Sequence, residues 1–348
     1  MSSFLVPEPV SPGDEVAVIA PSSGGARRAP HVLSQALDRL RNLGLDPTIY
    51  PTARQGDPFL YEHPKARAAD VHAAFRSDAS AVFATIGGDD QIRLLDHLEE
   101  DVLIDNPTRF FGMSDNTVLC SYLWRAGIVS YYGGQLLNQV AVPGGLPPYS
   151  ERHLKRALFD PALGTLEPSN KWADLTASFD EWLGSETEYR SAEGWIWSGS
   201  DRSITGRLWG GCLMVLSWML MANRPLPDLS TVDNAVLLLE TSEEMPSADD
   251  VRCLLQAMGE RGFLQQFDGA IIGRPATQNW QKSRDKEARE RYRRDQRSVI
   301  REQLSQYAPD IPVVFDVDVG HTNPTVPLPI GGRCEIDTAD QSIRFPKG

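Results

Sequence analysis

The sequence predicts an α/β protein in which a parallel β-sheet is covered by helices on both faces. The first observation is that strand patterns and helix patterns alternate through the first 160 residues, as in parallel sheets. The second is a loop-rich break at residues 143–200, after which a new series of apolar strands begins. With 348 residues, of which 41% are apolar, the chain is long enough for one large or two medium domains.

Each predicted strand of the first 160 residues is a short apolar run that stops at a turn. These strands lie at residues 15–21, 45–50, 81–86, 109–112 and 128–132. The helices between them lie at residues 30–43, 64–76, 91–98 and 116–124. The functional crevice of such a sheet lies at the carboxyl ends of its strands, and Gly87, Gly88 and Ser114 all follow such ends. The turn after the first strand lacks G-x-G-x-x-G, so we expect no dinucleotide site.

A second set of elements follows the break. Strands are predicted at residues 205–211, 235–240, 268–273 and 311–320, with helices at 212–221 and 249–261. We therefore place an N-terminal domain at residues 1–160, a tryptophan-rich linker or flap at 161–203, and a C-terminal domain at 204–348. The tryptophans of the middle segment either pack locally or form the wall of a ligand pocket. They are Trp172, Trp182, Trp195 and Trp197.

Charge and cysteine content exclude several classes of partner. The chain has 34 Lys and Arg against 47 Asp and Glu, a net charge of −13, which disfavours nucleic acid and anionic membranes as partners. The four cysteines lack metal-site spacing, so we expect reduced thiols and no metal. Residues 1–7 lack the features of a signal peptide, and the longest apolar run is about half a membrane span. These observations together predict a cytoplasmic protein.

Ser114 is the first candidate for catalysis. It lies on a tight turn between a predicted strand and a predicted helix, two residues after Gly112. Such a turn exposes a hydroxyl above the sheet and directs helix N-terminal N–H groups at the same point. A serine there can attack a carbonyl carbon, and the oxyanion can form against those N–H groups. The alternative is that Ser114 or Asp115 only caps the helix.

A serine nucleophile needs a base, and the base needs a carboxylate that orients it. His321 follows a predicted strand and Gly320 and opens a proline-rich loop, which suits a base, although a structural role is the alternative. Glu240 ends a strongly apolar strand, where a carboxylate needs a partner such as an imidazole. The order Ser, Glu, His also occurs in α/β-hydrolases, so an esterase of that class is a second hypothesis. That class expects one continuous sheet and a glycine where this chain has Asn116.

Several short motifs, in one order from about Val16 to Ile336, resemble the serine LD-carboxypeptidase family and within it the microcin C immunity peptidases. They are Pro21-Ser22-Ser23, Thr85-Ile86-Gly87-Gly88, Gly112-Met113-Ser114-Asp115, Tyr132-Gly133-Gly134, the run 206–211, Leu239-Glu240, Ile272-Gly273 and Gly320-His321-Thr322. This resemblance implies a Rossmann-like or flavodoxin-like parallel-sheet domain followed by a β-rich α+β domain. It also implies a cytoplasmic homodimer without cofactor or metal.

The same resemblance implies the roles of individual residues. The family's triad falls on Ser114, Glu240 and His321, and its oxyanion donors fall on the backbone N–H groups of Gly88 and Asp115. The implied activity is hydrolysis of an amide bond in a small peptide-like substrate, either a muropeptide or an aminoacyl-nucleotide such as processed microcin C. A protein that binds a small ligand on the same scaffold without catalysis is the alternative.

The segment after Glu240 departs from the microcin branch. That branch has basic residues there, whereas Glu243 and Glu244 make this segment acidic. These acids either start the next helix or face the cleft, where they would favour an amine over a phosphate. The predicted substrate-binding candidates are Gly87, Trp182, Trp195, Trp197, Arg207, Glu243 and Glu244.

Overall fold

A computed structural model describes residues 4–347 of the chain and places an α/β domain first. Its five parallel strands have the order β2-β1-β3-β4-β5. This order reverses between β1 and β3, and ligands of doubly wound sheets bind at such a point. The strands are β1 (Glu15–Ile19), β2 (Asp46–Ile49), β3 (Ala81–Ala84), β4 (Arg109–Gly112) and β5 (Ser130–Tyr132).

Helices connect these strands, as predicted. The predicted helix at residues 91–98 is a 3₁₀ helix, Gln91–His97, and another 3₁₀ turn, Ser114–Asn116, follows β4. The α-helices of this domain are α1 (Gly25–Arg28), α2 (Pro30–Asn42), α3 (Asp57–Glu62), α4 (Pro64–Arg76), α5 (Glu100–Asp105), α6 (Thr117–Arg125) and α7 (Pro148–Phe159).

Residues 161–203, predicted as a linker or flap, contribute strands to other sheets. They contain β6 (Gly164–Leu166), β7 (Lys171–Asp174), β8 (Arg190–Ser191) and β9 (Ile196–Ser198). The first and last of these form the two edges of the C-terminal sheet. Two strands of the segment therefore belong to the C-terminal sheet, whereas Trp182 donates its indole N–H to the carbonyl of Ala141 near the first domain, and the domain boundaries remain predictions.

The second domain has a mixed eight-stranded sheet with the order β6-β17-β16-β10-β11-β12-β13-β9. Strands β10 to β13 are parallel, and the strands at both sides pair antiparallel. The elements are β10 (Ser203–Cys212), α8 (Leu213–Ala222), β11 (Ala235–Glu240), α9 (Ala248–Glu260), β12 (Phe267–Gly273), α10 (Lys286–Tyr307), β13 (Val313–Val317), β14 (Thr322–Asn323), β15 (Leu328–Ile330), β16 (Arg333–Asp337) and β17 (Ser342–Phe345).

The two domains share elements and pack closely. Strand β15 leaves the second domain and pairs antiparallel with β5 of the first. Helix α6 contacts β10, where the N–H of Cys212 donates to the Thr117 hydroxyl over 3.1 Å. A Cβ on Gly211 would lie 2.6 Å from that hydroxyl, so glycine permits this approach. Residues 4–347 form three sheets, of six, eight and three strands, whereas the α/β-hydrolase hypothesis required one continuous sheet.

Strand β11 explains how an acid is carried into the interior. All six of its residues are buried, which is expected for a parallel strand covered on both faces. Its carboxyl end presents Glu240 toward the end of β5.

None of the helices within residues 4–347 is both long and apolar enough to cross a membrane. Residues 1–3 of the segment examined for a signal peptide lie outside the described residues.

Candidate active site

Ser114 lies on a strained turn at the carboxyl end of β4. Its φ is +62°, a conformation that non-glycine residues rarely adopt and that costs on the order of 1–3 kcal/mol. Its N–H donates to the Tyr132 hydroxyl over 3.0 Å, and its carbonyl accepts from the Thr117 hydroxyl over 2.6 Å. Two neighbours therefore fix the backbone on both sides of the side chain, so the surrounding structure holds the strain in place.

A network of buried amide side chains also fixes the turn at Ser114. Asn116 donates to the carbonyl of Met113 over 3.0 Å and accepts from the Gln91 amide over 2.7 Å. A Cβ on Gly112 would lie 2.8 Å from the Cβ of Asn116, so this strand end must be glycine for the turn to close. The residue that replaces the second glycine of G-x-S-x-G thus has a structural task of its own.

The loop after β3 lies against Ser114. A Cβ on Gly87 would be 2.8 Å from the Cβ of Ser114 and 3.2 Å from the backbone nitrogen of Asp115. Within residues 4–347, the N–H groups of Gly88 and Asp115 donate no hydrogen bond to another protein group. Two free donors on adjacent segments beside a hydroxyl are suited to an oxyanion.

The side chain of Asp115 points away from this loop edge into the protein. Its carboxylate accepts from the Ser22 hydroxyl over 2.5 Å and from the N–H of Gln91 over 2.9 Å. Burial raises the pKa of Asp115 to about 6, although those two hydrogen bonds act in the opposite direction. Asp115 therefore ties the loops after β1 and β3 to the Ser114 turn.

Glu240 and His321 form a buried hydrogen-bonded pair. The ring Nδ1 of His321 donates to Glu240 Oε2 over 2.7 Å, and the Tyr132 hydroxyl donates to Glu240 Oε1 over 2.6 Å. A Cβ on Gly320, whose φ is +99°, would lie 2.5 Å from Glu240 Oε2. The glycine before His321 is therefore required for the carboxylate to reach the ring. Tyr132 connects this pair to the backbone of Ser114.

A second carboxylate occupies the other ring nitrogen. Glu243 Oε2 lies 2.9 Å from His321 Nε2, and no hydrogen bond joins His321 to Ser114 in the described chain. Burial lowers the pKa of His321, but Glu240 and Glu243 outweigh it and raise the pKa well above its ordinary value. Burial raises the pKa of Glu243, but the neighbouring His321 outweighs this and lowers the pKa to about 2. The imidazole therefore lies between two carboxylates, which favour its protonated form.

A cluster of buried charges supports the strand that leads to His321. Asp318 accepts from the Trp195 indole over 3.0 Å and from the N–H of Ser169 over 3.0 Å, and lies 3.4 Å from Arg274. Asp316 accepts from Arg293 over 2.8 Å, with two further arginines within 3.5 Å. Buried carboxylates need such partners, and here they fix the backbone three and five residues before His321.

A cavity of about 520 Å³ opens beside His321. Of the sequence-predicted residues, Trp182 and Glu243 line it, together with His321 itself. The sequence analysis missed other lining residues, among them Arg28, Asn138, Asp180 and Trp280. Trp280 is 60% exposed and follows the carboxyl end of β12, so the strand-end rule could have found it. Asn138 and Arg28 carry no comparable signal.

Five predicted substrate-binding residues do not line this cavity, and one of them, Gly87, lies against Ser114 instead. Arg207 is in the middle of β10, five residues before the end that reaches the site, and there it stacks over Phe4 and donates to the carbonyl of Gly331. Glu244 is exposed beside the cavity residue Glu243 but does not line it. Trp195 donates its indole N–H to Asp318, and Trp197 lies on the edge strand β9, paired with Val314.

Two other features bear on what the protein can bind. Within residues 4–347, no group of three or more His, Cys, Asp and Glu side chains is arranged to hold a metal ion. A second cavity, of about 530 Å³, is lined by Arg125, Arg224 and Arg261. It contains none of the predicted catalytic residues, so we assign the candidate site to the cavity beside His321.

Two regions of the chain match models of one protein family. Residues 16–133 match the LD-carboxypeptidase N-terminal domain, and residues 205–336 match the LD-carboxypeptidase C-terminal domain. YocD of Bacillus subtilis, which carries the name of a carboxypeptidase, is 25% identical over 96% of both chains. The microcin C7 self-immunity protein MccF of Escherichia coli is 23% identical over 97% of this chain and 95% of its own.

Solved structures show the same architecture. A MccF-like protein from Streptococcus pneumoniae, determined in complex with AMP, superimposes with a TM-score of 0.85 at 27% identity, over 96% of this chain and 99% of its own. The similarity spans both domains, including the tryptophan-rich segment between the two matched regions.

Proposed function

The chain belongs to the LD-carboxypeptidase family, and we propose that it is a serine hydrolase that cleaves an amide bond in a small peptide-like substrate. The observation that carries the proposal is that the Tyr132 hydroxyl connects two features of the site. One is Ser114 at φ +62° beside free amides, and the other is the Glu240–His321 pair, joined over 2.7 Å. Their common contact, Tyr132, bonds to the backbone of one and the carboxylate of the other.

In this mechanism His321 takes the proton from the Ser114 hydroxyl as its oxygen attacks the carbonyl carbon of the substrate. Glu240 holds the ring by its Nδ1–H and stabilises the imidazolium that forms. The oxyanion accepts hydrogen bonds from the N–H groups of Gly88 and Asp115, each worth on the order of 3 kcal/mol. His321 then gives its proton to the leaving amine, and water attacks the acyl-serine by the reverse sequence.

The ionisable groups of the cavity support a substrate with an amine. Relatives bind nucleotides: the MccF-like protein from Streptococcus pneumoniae was crystallised with AMP. Here the cavity contains Asp180 and Glu243, and its arginine, Arg28, lies 3.4 Å from Asp57 outside the cavity lining. Two acids disfavour a phosphate and favour an ammonium. We therefore place a muropeptide with a diamino acid ahead of an aminoacyl-nucleotide.

Fluorophosphonate labelling and hydrolysis test the proposal together. Ser114→Ala should abolish labelling and reduce kcat by several orders of magnitude while the protein stays folded, because no other group supplies the nucleophile. Ser298→Ala, an exposed serine on α10, is the matched control and should label and turn over as the wild type does. A Ser114→Ala protein with a tenth of wild-type turnover would refute the assignment.

A non-catalytic binding protein is the second candidate. The observation in its favour is that His321 Nε2 meets Glu243 rather than the Ser114 hydroxyl. This alternative predicts tight binding of an amine-bearing peptide without labelling or hydrolysis.

The proposal also includes a cytoplasmic location and a homodimer. Cys120, Cys212 and Cys334 are buried free thiols, which suits a reducing compartment.

A further inference from the structure

The contact between Glu243 and His321 blocks the step that the proposed function needs. A general base must accept a proton at Nε2, but the Glu243 carboxylate lies against that nitrogen, with Oε2 at 2.9 Å. The other nitrogen donates to Glu240 over 2.7 Å. An ionised carboxylate only accepts hydrogen bonds, so a ring with one carboxylate at each nitrogen is favoured as the imidazolium and cannot take a proton from Ser114 until Glu243 leaves.

The side chain of Glu243 can move away from His321 while its backbone stays in place. Its carbonyl accepts from the Asn279 amide over 2.9 Å, and the next turn is closed by the N–H of Met245 bonding to the carbonyl of Ser242. Its side chain is 53% exposed, whereas that of Glu240 is 1% exposed. Rotation of one side chain into the cavity is therefore enough to free Nε2.

The cavity has few cationic groups that could pair with the Glu243 carboxylate after it leaves His321. The lining side chains with charge are Arg28, Asp180, Glu243 and His321. Arg28 already interacts with Asp57 over 3.4 Å, so Glu243 would enter a space with Asp180 and one partly neutralised cation. A positively charged group brought by the substrate would supply the partner that this space lacks.

We propose that Glu243 is a positioning residue that occupies His321 Nε2 until a cationic group of the substrate binds the Glu243 carboxylate. This inference rests on the proposed function and adds regulation of the same site by the substrate. Glu243 exchanges one cation, the imidazolium, for another, the substrate ammonium. The exposed Trp280 at the same cavity offers a face for such a cation.

The exchange releases one proton. In the resting site the ring carries a proton on each nitrogen. When the substrate ammonium binds Glu243, the Nε2 proton passes to solvent, and the neutral nitrogen accepts the hydrogen bond of the Ser114 hydroxyl. The ammonium keeps its own protons, and no bond to carbon changes in this step. Acylation then proceeds as in the proposed mechanism.

The charges that face His321 fix the direction of the pH dependence. Glu240 and Glu243 contact the ring, the Tyr132 phenol and the Cys212 thiol lie behind Glu240, and Arg28 and Asp180 line the cavity in front. Removing the charge of Glu243 takes away one of the two acids that raise the pKa of His321. The ring then becomes a free base at a lower pH.

The first measurement is the rate of Ser114 labelling by a neutral fluorophosphonate between pH 5 and 9. In this reaction the Ser114 oxygen attacks phosphorus, fluoride leaves, and His321 takes the hydroxyl proton. Glu243→Gln should shift the rise in labelling rate to lower pH by about one unit, and so raise the rate at pH 6 about tenfold. Glu244→Gln makes the same change in net charge one residue away and should leave the profile at its wild-type position.

The second measurement compares two peptides that differ only in a side-chain amine and its acetylated form. Glu243→Gln should lower kcat/KM for the amine peptide and raise it for the acetylated one, each by about tenfold. The Ser114→Ala variant, which keeps Glu243, should release about one proton per site on binding the amine peptide near pH 6, and the acetylated peptide should release none.

Two results would overturn the inference while leaving the proposed function intact. One is wild-type labelling and hydrolysis with a pH profile that Glu243→Gln does not move. The other is a change of the same sign for both peptides. If the wild type neither labels nor hydrolyses either peptide, the proposed function itself fails.

Discussion

The two halves of the candidate site are built from different interactions. Ser114, Gly87 and Gly88 are placed by backbone geometry and by uncharged groups such as Asn116 and Gln91. His321 is placed by charges: Glu240 and Glu243 at the ring, and the buried aspartates and arginines around Asp316 and Asp318 behind it.

This difference assigns separate physical tasks to the two domains. Steric geometry fixes where Ser114 lies, and the buried Asp115 carboxyl of this half bonds to Ser22 and Gln91 rather than to the Ser114 side chain. Buried charges fix both the place and the proton affinity of the base, and their contribution depends on pH. Tyr132 is the group that joins them, since its hydroxyl bonds to the N–H of Ser114 and to Glu240 Oε1. Substitutions in the first half should therefore change rate alone, and those in the second should change pH dependence as well.

The largest effect is expected for Glu240→Gln, in the charged half. The amide replaces an acceptor with a donor against either the His321 Nδ1–H or the Tyr132 hydroxyl, so the ring loses its orientation. We expect kcat to fall by about 10⁴-fold, as in other triads that lose this charge. Because Glu240 raises the pKa of His321, the remaining activity should rise at a lower pH than in the wild type. A drop of less than tenfold with an unmoved pH profile would contradict the charge-based account.

A smaller effect is expected for Gly87→Ala, in the geometric half. The new Cβ would lie 2.8 Å from the Cβ of Ser114, so the serine turn or the loop after β3 must shift. Displacement of a nucleophile by about an ångström costs about 10²-fold in kcat. No charge changes, so the shape of the pH profile should stay the same.

Gly184→Ala is the control for that substitution, since a Cβ there meets no atom within 4 Å. It should leave kcat and the pH profile unchanged. If Gly87→Ala instead shifts the pH profile, the two halves of the site are not independent, and the distinction between a geometric half and a charged half is wrong.

Much of the fold could be predicted because its local signals agree with its tertiary structure. The helix at residues 64–76 and the strand starting at Ala81 were located from apolar runs bounded by proline, glycine and polar turns, and the structure confirms both. The positions of Ser114, Glu240 and His321 at strand ends followed from the same runs. The contact between Glu240 and His321 came from the family resemblance and the pairing of a buried acid with an imidazole.

What sequence reasoning missed depends on side chains that meet only after folding. The motif that contains Arg207 predicts a place at the cleft, but in the structure this residue lies five positions before the site end of β10 and stacks over Phe4. Trp195 was a pocket candidate, whereas it donates to the buried Asp318, whose position follows from the pairing of β9 with β13. The contact of Glu243 with His321 depends on the turn at Met245, a positive-φ residue that no propensity indicates.

The smallest effect, on stability rather than rate, is expected for Trp195→Phe. Burial raises the pKa of Asp318, and Arg274, Ser169 and the Trp195 indole oppose that rise. Losing the indole N–H should raise the pKa further and reduce the free energy of unfolding by about 2 kcal/mol where Asp318 is ionised.

The sign of the pH dependence decides whether charge is responsible for that loss. A carboxyl whose folded pKa is raised destabilises the fold as pH rises through that pKa, and Trp195→Phe enlarges this term. The difference in the free energy of unfolding between wild type and variant should therefore be largest near pH 8 and shrink toward pH 4, where Asp318 takes up a proton. Trp197→Phe removes the same ring area from β9 and leaves the contacts of Asp318 in place, so its effect should not vary with pH. Equal losses for Trp195→Phe at both pH values, measured by denaturant unfolding, would mean that packing and not charge maintains the base half of the site.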